Sequence, residues 1–213
     1  MRRKLGVLCM LLGAVLLMGS LSLLLRNRQE AENAHRASAE LMPKLEQAIE
    51  EQILNQENSP VHETETVIPG TPPELMDPED LKMTEVEIDG HSYIGYLSIP
   101  ALELELPVMA DWNYEKLQIA PCRYGGTVLE GNLVVMAHNY IQHFGNLQRL
   151  QPGDQIAFVD MDNRTTVYEV VATDVVEPTA VEEVTAGDFD LTLFTCTYGR
   201  RARIVVYCDV LEA

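Results

Sequence analysis

The chain has 213 residues, enough for one ordinary domain with accessory segments. Apolar residues make up 46% of it, which excludes a wholly disordered protein. The formal net charge is −18, and setting aside Arg2, Arg3 and Lys4 leaves −21 for the rest of the chain. Such an acidic surface repels nucleic acid, so we expect no nucleic-acid partner.

The N-terminal segment is typical of a membrane anchor. Residues 5–25 carry no charge and follow three cations, and as a helix they would extend about 31 Å, roughly the thickness of a hydrocarbon core. No small-residue cleavage site follows directly, since the apolar run ends at Arg26. We therefore predict an uncleaved anchor, with residues 1–4 in the cytoplasm and the remainder outside the cell. A cleaved signal peptide is the alternative.

Two accessory segments follow the predicted anchor. Residues 26–54 are rich in Ala, Glu and Gln, and they predict a helical stalk in which Pro43 is a potential break. A weak self-association surface is the other interpretation of this segment. Its apolar positions recur every four residues at Leu41, Leu45, Ile49 and Ile53. Residues 55–83 contain five prolines and many acids, which indicates a linker.

Residues 84–213 have the pattern of a β domain, with short apolar runs separated by turn residues. One short helix is predicted at 114–119. Strands are predicted at 93–99, 102–108, 133–137, 155–159, 165–172, 191–195 and 204–209. So many short strands in so few residues predict a mainly β fold, a closed or nearly closed barrel of seven to eight strands with short helices.

The cysteines do not form a recognisable metal or redox motif. Cys9 lies in the apolar segment, and no two of the four cysteines have C-x-x-C spacing. Cys122, Cys196 and Cys208 remain for the extracellular part, and their odd number leaves at least one thiol unpaired. A disulfide between Cys122 and Cys208 stays open. We expect no cofactor and no metal, and we identify no acidic cluster for calcium.

Three groups suited to thiol chemistry stand at predicted strand ends. Cys196 follows the strand at 191–195, His138 follows the strand at 133–137, and Arg203 precedes the last strand. A neighbouring cation lowers the pKa of a thiol, a histidine can move protons, and a guanidinium can bind an oxyanion. Each also has an ordinary alternative as a core or surface residue. His143 and Arg201 are the competing histidine and arginine.

Short motifs in this domain resemble those of sortases, the enzymes that attach surface proteins to Gram-positive cell walls or polymerise pilins. The segment TLFTC at 192–196 matches the T-L-x-T-C signature of that family. The resemblance extends, in the family order, to four other segments of the domain. These are YLSIP at 96–100, AHNY at 137–140, HFGNL at 143–147 and RIVV at 203–206.

The resemblance implies a role for each candidate. Cys196 would be the nucleophile, His138 the general acid and base, and Arg203 the group that stabilises the oxyanion or positions the substrate. Thr195 would help to orient substrate or arginine. The implied reaction cleaves an LPXTG-like sorting signal through a thioester and transfers the acyl group to an amine from a cell-wall precursor or another protein. The implied partners are surface proteins that bear such signals.

The subfamily and two rival readings remain open. Asp77-Pro78 is followed by Glu79 rather than an aromatic residue, so the lid motif of pilin-polymerising sortases is not apparent. The span 176–190 is also short, and both features weaken a pilin-polymerase assignment. An L,D-transpeptidase-like enzyme is a poor match, because the catalytic cysteine of those enzymes follows a glycine, whereas Cys196 follows Thr195. The other rival is a membrane-tethered, catalytically weak sortase-like binding or assembly module.

Overall fold

The computed structural model describes residues 2–58, 82–197, 199 and 201–211. A long helix, α1 (Arg2–Asn58), precedes a β domain that also contains the short helix α2 (Val181–Val184). The strands are β1 (Val86–Ile88), β2 (His91–Ile99), β3 (Leu104–Met109), β4 (Cys122–Gly125), β5 (Leu133–Met136), β6 (Gln155–Asp160), β7 (Thr165–Val176), β8 (Leu191–Cys196) and β9 (Arg203–Val210).

The strands form one closed barrel. Their order is β1-β2-β3-β4-β5-β8-β9-β7-β6, and β6 pairs again with β2, so that eight strands close and β1 is appended at the edge. Most pairs are antiparallel, but β3 pairs with β4 and β5 pairs with β8 in parallel. Closure removes the exposed strand edges that an open sheet would leave.

The mainly β barrel expected from the sequence is confirmed, with differences at individual elements. All seven predicted strands are present within a few residues, and the predicted short helix is a 3-10 turn at Lys116–Gln118. The sequence did not predict β1 or β4. Both are short, and β4 is held by its partners β3 and β5 rather than by an alternating apolar pattern of its own. Cys122, which lies outside every predicted strand, begins β4.

Alternating side chains fill the barrel. On β8 and β9 every second residue belongs to the main apolar cluster, including Leu193 and Val206, while the residues between them face outward. Gly95 lies where β2 approaches β6, with φ +143°, and a Cβ there would lie 2.0 Å from the Val159 carbonyl oxygen. Only glycine permits this close approach, so Gly95 contributes directly to closure.

The distal part of α1 packs on the outside of the barrel. Leu41, Leu45 and Ile49 are buried in a second apolar cluster together with barrel residues that include Tyr93 and Cys122. The four-residue spacing predicted from the sequence is therefore the face that contacts the β domain. The helix is continuous through Pro43, which lies on its exposed side. Lys44 also forms an ion pair with Asp89 in the β1–β2 turn at 2.5 Å.

The proximal part of α1 is long and apolar enough to cross a membrane. Its side chains are exposed over residues 10–25 apart from a half-buried Gly13. The predicted linker at 55–83 lies mostly outside the described residues, and so does the segment around Asp77-Pro78. The proposed boundaries of the anchor, stalk, linker and barrel stay predictions.

Candidate active site

Cys196 and Arg203 lie opposite each other at one end of the barrel. Cys196 is the last residue of β8 and Arg203 is the first of β9, and the antiparallel register pairs their Cα atoms directly. Directly opposed residues on antiparallel strands present their side chains on the same face, with Cβ atoms roughly 5 Å apart. Both side chains are half-buried. The pairing of β8 with β9 therefore places the residue that carries the thiol opposite the residue that carries a permanent cation.

His138 follows β5, the strand on the other side of β8 from β9. Strands β5 and β8 are parallel, with Met136 paired to Phe194, and the Ala137 amide donates to the Phe194 carbonyl at 3.3 Å. Strand β5 ends at Met136 and His138 follows Ala137 directly, so His138 stands where the ends of β5 and β8 adjoin. The Thr195 hydroxyl, which donates to the Ala137 carbonyl at 2.8 Å, holds the two strand ends together at this point.

The alternation along β8 and β9 directs two of the candidate side chains to one face. Phe194 and Val205 belong to a third apolar cluster, on the outside of the barrel. Cys196 and Arg203 lie two positions from Phe194 and Val205 on the same strands, and the side-chain period of a strand is two, so both share that outer face. His138 follows β5, which runs parallel to β8, so the structure brings the three candidates to one end of the barrel.

The guanidinium of Arg203 has two fixed neighbours. Its Nε donates to the Pro178 carbonyl at 3.1 Å, and its Cζ lies 5.2 Å from the centre of the Phe194 ring. The contact over the ring is a cation–π interaction. Pro178 belongs to the connection between β7 and β8, so Arg203 links the site to that connection. The bond to Pro178 uses one of the five N–H donors of the guanidinium.

The competing candidates occupy different environments. His143 is completely buried, and burial first, then the nearby His138 and His35, lowers its pKa from the ordinary 6.5 to about 4. Arg201 is exposed and lies in the bend before β9, whereas Arg203 is paired with Cys196.

Thr195 and the other cysteines of the β domain are buried. The Thr195 hydroxyl bonds to the Ala137 carbonyl, directly after β5, and the predicted role of Thr195 in orienting substrate or arginine stays a prediction. Cys122 and Cys208 are free, buried thiols that belong to separate apolar clusters, so they do not form a disulfide. Burial raises the pKa of each to about 12. Within the described residues there is no group of three or more His, Cys, Asp or Glu that could hold a metal ion.

A cleft and a row of aromatic rings lie on the outer side of the barrel. The cleft has a volume of about 220 Å³ and is lined by Tyr124, Val134 and Thr185, among others. The Tyr124 ring contacts Phe194 edge-on at 5.3 Å and stacks on Trp112 at 5.5 Å. Because the Phe194 ring also contacts the guanidinium of Arg203, this row of rings begins beside that candidate residue.

Comparison with known proteins identifies the family of the β domain. The family model described as Sortase domain matches residues 97–211, more than half of the chain. The chain belongs to the sortase family. A curated relative, Sortase A of Bacillus anthracis, is 30% identical over 145 residues, which cover 63% of this chain and 65% of that protein. The matched region is thus slightly less than two thirds of that relative's length.

Solved sortase structures share the fold. The pilus-related sortase C of Group B Streptococcus is 26% identical, with a TM-score of 0.51, over 64% of this chain and 77% of that one. Sortase C1 of Streptococcus agalactiae, solved as a complex with MTSET, is 24% identical, with a TM-score of 0.51, over 60% and 71%. Membership in the family sets aside the L,D-transpeptidase reading. The subfamily of this sortase stays open.

Several residues around the site were not found from the sequence. The carbonyl of Pro178 and the ring of Phe194 fix Arg203, and neither a carbonyl group nor a core ring carries a sequence signal for such a role. Tyr140, whose ring lies 5.0 Å from that of His138, was present only as part of a motif. The signal that could have identified Tyr140 from the sequence is its position two residues after the candidate His138.

Proposed function

We propose that this sortase is an anchored cysteine transpeptidase that cleaves an LPXTG-like sorting signal and transfers the acyl fragment to an amine. The observation that carries the proposal is the register that sets Cys196 directly opposite Arg203, with His138 at the end of the adjoining strand. A thiol, a proton carrier and a fixed cation on one surface are the groups that acyl transfer through a thioester requires.

In the first half-reaction the Cys196 thiolate attacks the Thr carbonyl of the sorting signal. Arg203 hydrogen-bonds the oxygen that becomes negative, through donors that Pro178 does not use. As the C–N bond breaks, His138 protonates the leaving amine, and the N-terminal fragment stays on Cys196 as a thioester. In the second half-reaction an amine attacks the thioester, His138 accepts its proton, a new amide forms and the thiolate is released.

The proposed setting is the outer face of a bacterial membrane. Residues 5–25 of α1 would span the bilayer, with Arg2, Arg3 and Lys4 on the cytoplasmic side. The barrel would then lie outside, where its partners are surface proteins with sorting signals and an amine acceptor from a cell-wall precursor or another protein. The acidic net charge of the chain favours partners other than nucleic acid.

A peptide-cleavage assay tests the proposal. Residues 26–213, which retain the docked part of α1, are incubated with a panel of LPXTG-like peptides, with and without glycine- or lysine-containing amine acceptors. We expect cleavage of at least one peptide, faster release when an amine is present, and no cleavage by Cys196→Ala. His138→Ala should lose about 10²- to 10⁴-fold in rate, and Arg203→Ala about 10²- to 10³-fold.

The same assay separates the alternative function. A catalytically weak binding module would bind a peptide without cleaving it, and Cys196→Ala would leave binding unchanged. Binding without turnover across the panel, with Cys196 still alkylated by iodoacetamide, would therefore contradict the transpeptidase and support the module.

A further inference from the structure

The loop that begins with His138 is folded tightly on itself. The Phe144 amide donates to the His138 carbonyl at 3.2 Å, and the amides of His143 and Gly145 both donate to the Tyr140 carbonyl, at 2.9 and 2.8 Å. A Cβ at Gly145 would lie 2.6 Å from the Asn139 carbonyl oxygen, so this position has no room for a larger residue. The loop therefore presents its side chains from a fixed backbone.

Three rings of this loop form a continuous row. The Tyr140 ring centre lies 5.0 Å from that of His138, at an interplanar angle of 45°, and 5.7 Å from that of His143, at 52°. These separations are within the range of direct aromatic contact. One end of the row is at the candidate active site and the other end is under α1.

The buried end of the row is an unusual position for a histidine. His143 is 0% exposed, while its loop neighbour Ile141 is 60% exposed. Among the residues that the structure describes, the Nδ1 atom of His143 has no hydrogen-bond partner, so the site loses free energy that an apolar residue of similar size would not lose. A position that served packing alone would be better filled by Phe or Leu.

The second ring nitrogen of His143 meets the N-terminal helix. Its Nε2 lies 3.5 Å from the Ser38 hydroxyl of α1, and that hydroxyl also lies 3.4 Å from the Ile119 carbonyl. The carbonyl can only accept, so the hydroxyl proton goes to Ile119 and Nε2–H of His143 donates to Ser38. This arrangement is consistent with a neutral His143 whose unprotonated Nδ1 is the atom without a partner.

We infer that His143 and Tyr140 are positioning residues, through which Ser38 of α1 fixes the orientation of the His138 ring beside Cys196. The inference rests on the proposed role of His138. It gives the docked part of α1 a function in the active site, since the helix that would anchor the protein also supports the loop that carries the proton-transferring group. Loss of the Ser38 contact lets the row of rings relax and moves His138 away from the thiol.

The alkylation rate of Cys196 tests this inference without a peptide substrate. A nearby imidazolium lowers the pKa of a thiol, so displacing His138 moves the midpoint of the alkylation–pH profile to higher pH. The full chain in detergent micelles is treated with iodoacetamide, and labelling of Cys196 is followed by mass spectrometry. We expect higher midpoints in Ser38→Ala and His143→Ala, a smaller change in His143→Phe, which keeps the ring contact, and none in Ile141→Ala.

Acylation kinetics supply the second measurement. With a cleaved peptide, His143→Ala should lower kcat about 10- to 100-fold with little change in KM, because a misplaced proton donor slows chemistry rather than binding. The mild Ser38→Ala variant keeps the test valid if His143→Ala does not fold. The inference would be overturned if the alkylation–pH profiles of Cys196 in folded Ser38→Ala and His143→Ala superimposed on the wild-type profile. Failure of the transpeptidase proposal would instead leave wild type without any cleaved peptide, while the alkylation shifts would persist.

Discussion

Leu45 on α1 provides a quantitative test of the contact between the N-terminal helix and the barrel. Its side chain is 0% exposed and lies in the cluster that joins the helix to Tyr93 and Cys122. Replacing a buried leucine by alanine lowers the free energy of unfolding by about 2 to 5 kcal/mol, through lost burial and the remaining cavity. Since a domain of this size has a total stability of roughly 5 to 15 kcal/mol, Leu45→Ala should remove a large part of it.

Urea unfolding of residues 26–213 measures this loss. The chain has one tryptophan, Trp112, which stacks on Tyr124, so its fluorescence reports on the barrel rather than on the helix. With a slope of roughly 2 kcal/mol per molar urea, a loss of about 3 kcal/mol lowers the midpoint by about 1.5 M. Leu54→Ala is the matched control on the same helix, since Leu54 is 57% exposed, and its effect should stay within about 0.5 kcal/mol. Equal midpoints for the two variants would refute the packing of α1 on the barrel.

Three further outcomes are expected. Thr195→Val keeps the side-chain volume but removes the hydroxyl that bonds to β5, and it should lower the free energy of unfolding by about 1 to 3 kcal/mol in the same urea experiment. Burial lowers the pKa of His143 from 6.5 to about 4, so between these values the unfolded chain binds a proton that the folded chain does not. The contribution of His143 to the free energy of unfolding is therefore complete above pH 6.5 and is lost as pH falls toward 4. The loss should approach about 3 kcal/mol and should be absent from His143→Phe. Iodoacetamide at pH 8 should label Cys196 in the folded protein, and label Cys122 and Cys208 only after unfolding, because burial raises the pKa of both to about 12.

Each of these expectations has a contradicting result. Unchanged stability in Thr195→Val would mean that the strand ends do not depend on the hydroxyl. Parallel stability curves for wild type and His143→Phe between pH 6.5 and 4 would show that His143 is not held neutral by burial. Peptide mapping that finds Cys122 or Cys208 labelled as fast as Cys196 would contradict the packing of both clusters.

The strands were predictable where their pattern was local. Residues such as Leu193 and Val206 alternate with their neighbours or stand in compact apolar runs, and this signal survives in a single sequence. The strand β4 has no such signal, because its four residues, Cys-Arg-Tyr-Gly, do not alternate between apolar and polar and the strand is held by its partners β3 and β5. Closure of β6 on β2 was predicted only as a property of a fold with many short strands, and the glycine at the crossing, Gly95, was not identified.

The candidate site residues could be chosen from the sequence, but the contacts around them could not. Cys196, His138 and Arg203 were selected by residue type and by their places at strand ends, and the structure sets these ends side by side. The contacts that hold them were not predictable, because Pro178 contributes a carbonyl group that every residue possesses. His143 was considered only as a competitor, since nothing in the sequence indicates that it is buried.

For the N-terminal helix, too, the sequence predicted a feature but not its contacts. The four-residue spacing that includes Leu41 and Leu45 predicted an apolar face, but the periodicity does not state what that face contacts. The interpretation as a stalk followed from position in the chain. In the structure this face is part of the second apolar cluster of the barrel, and Ser38 on the same helix reaches the loop after β5.

The most direct test of the account is capture of the acyl-enzyme. The protein is mixed with an LPXTG-like peptide panel without an amine, quenched in acid, and weighed intact, beside Cys196→Ala. The account predicts an added mass equal to the N-terminal peptide fragment, located at Cys196 by fragmentation, removed by hydroxylamine, and absent from the variant. An adduct that persists in Cys196→Ala, or no adduct with any peptide while Cys196 remains alkylatable, would contradict the assignment of Cys196 as the nucleophile of a transpeptidase.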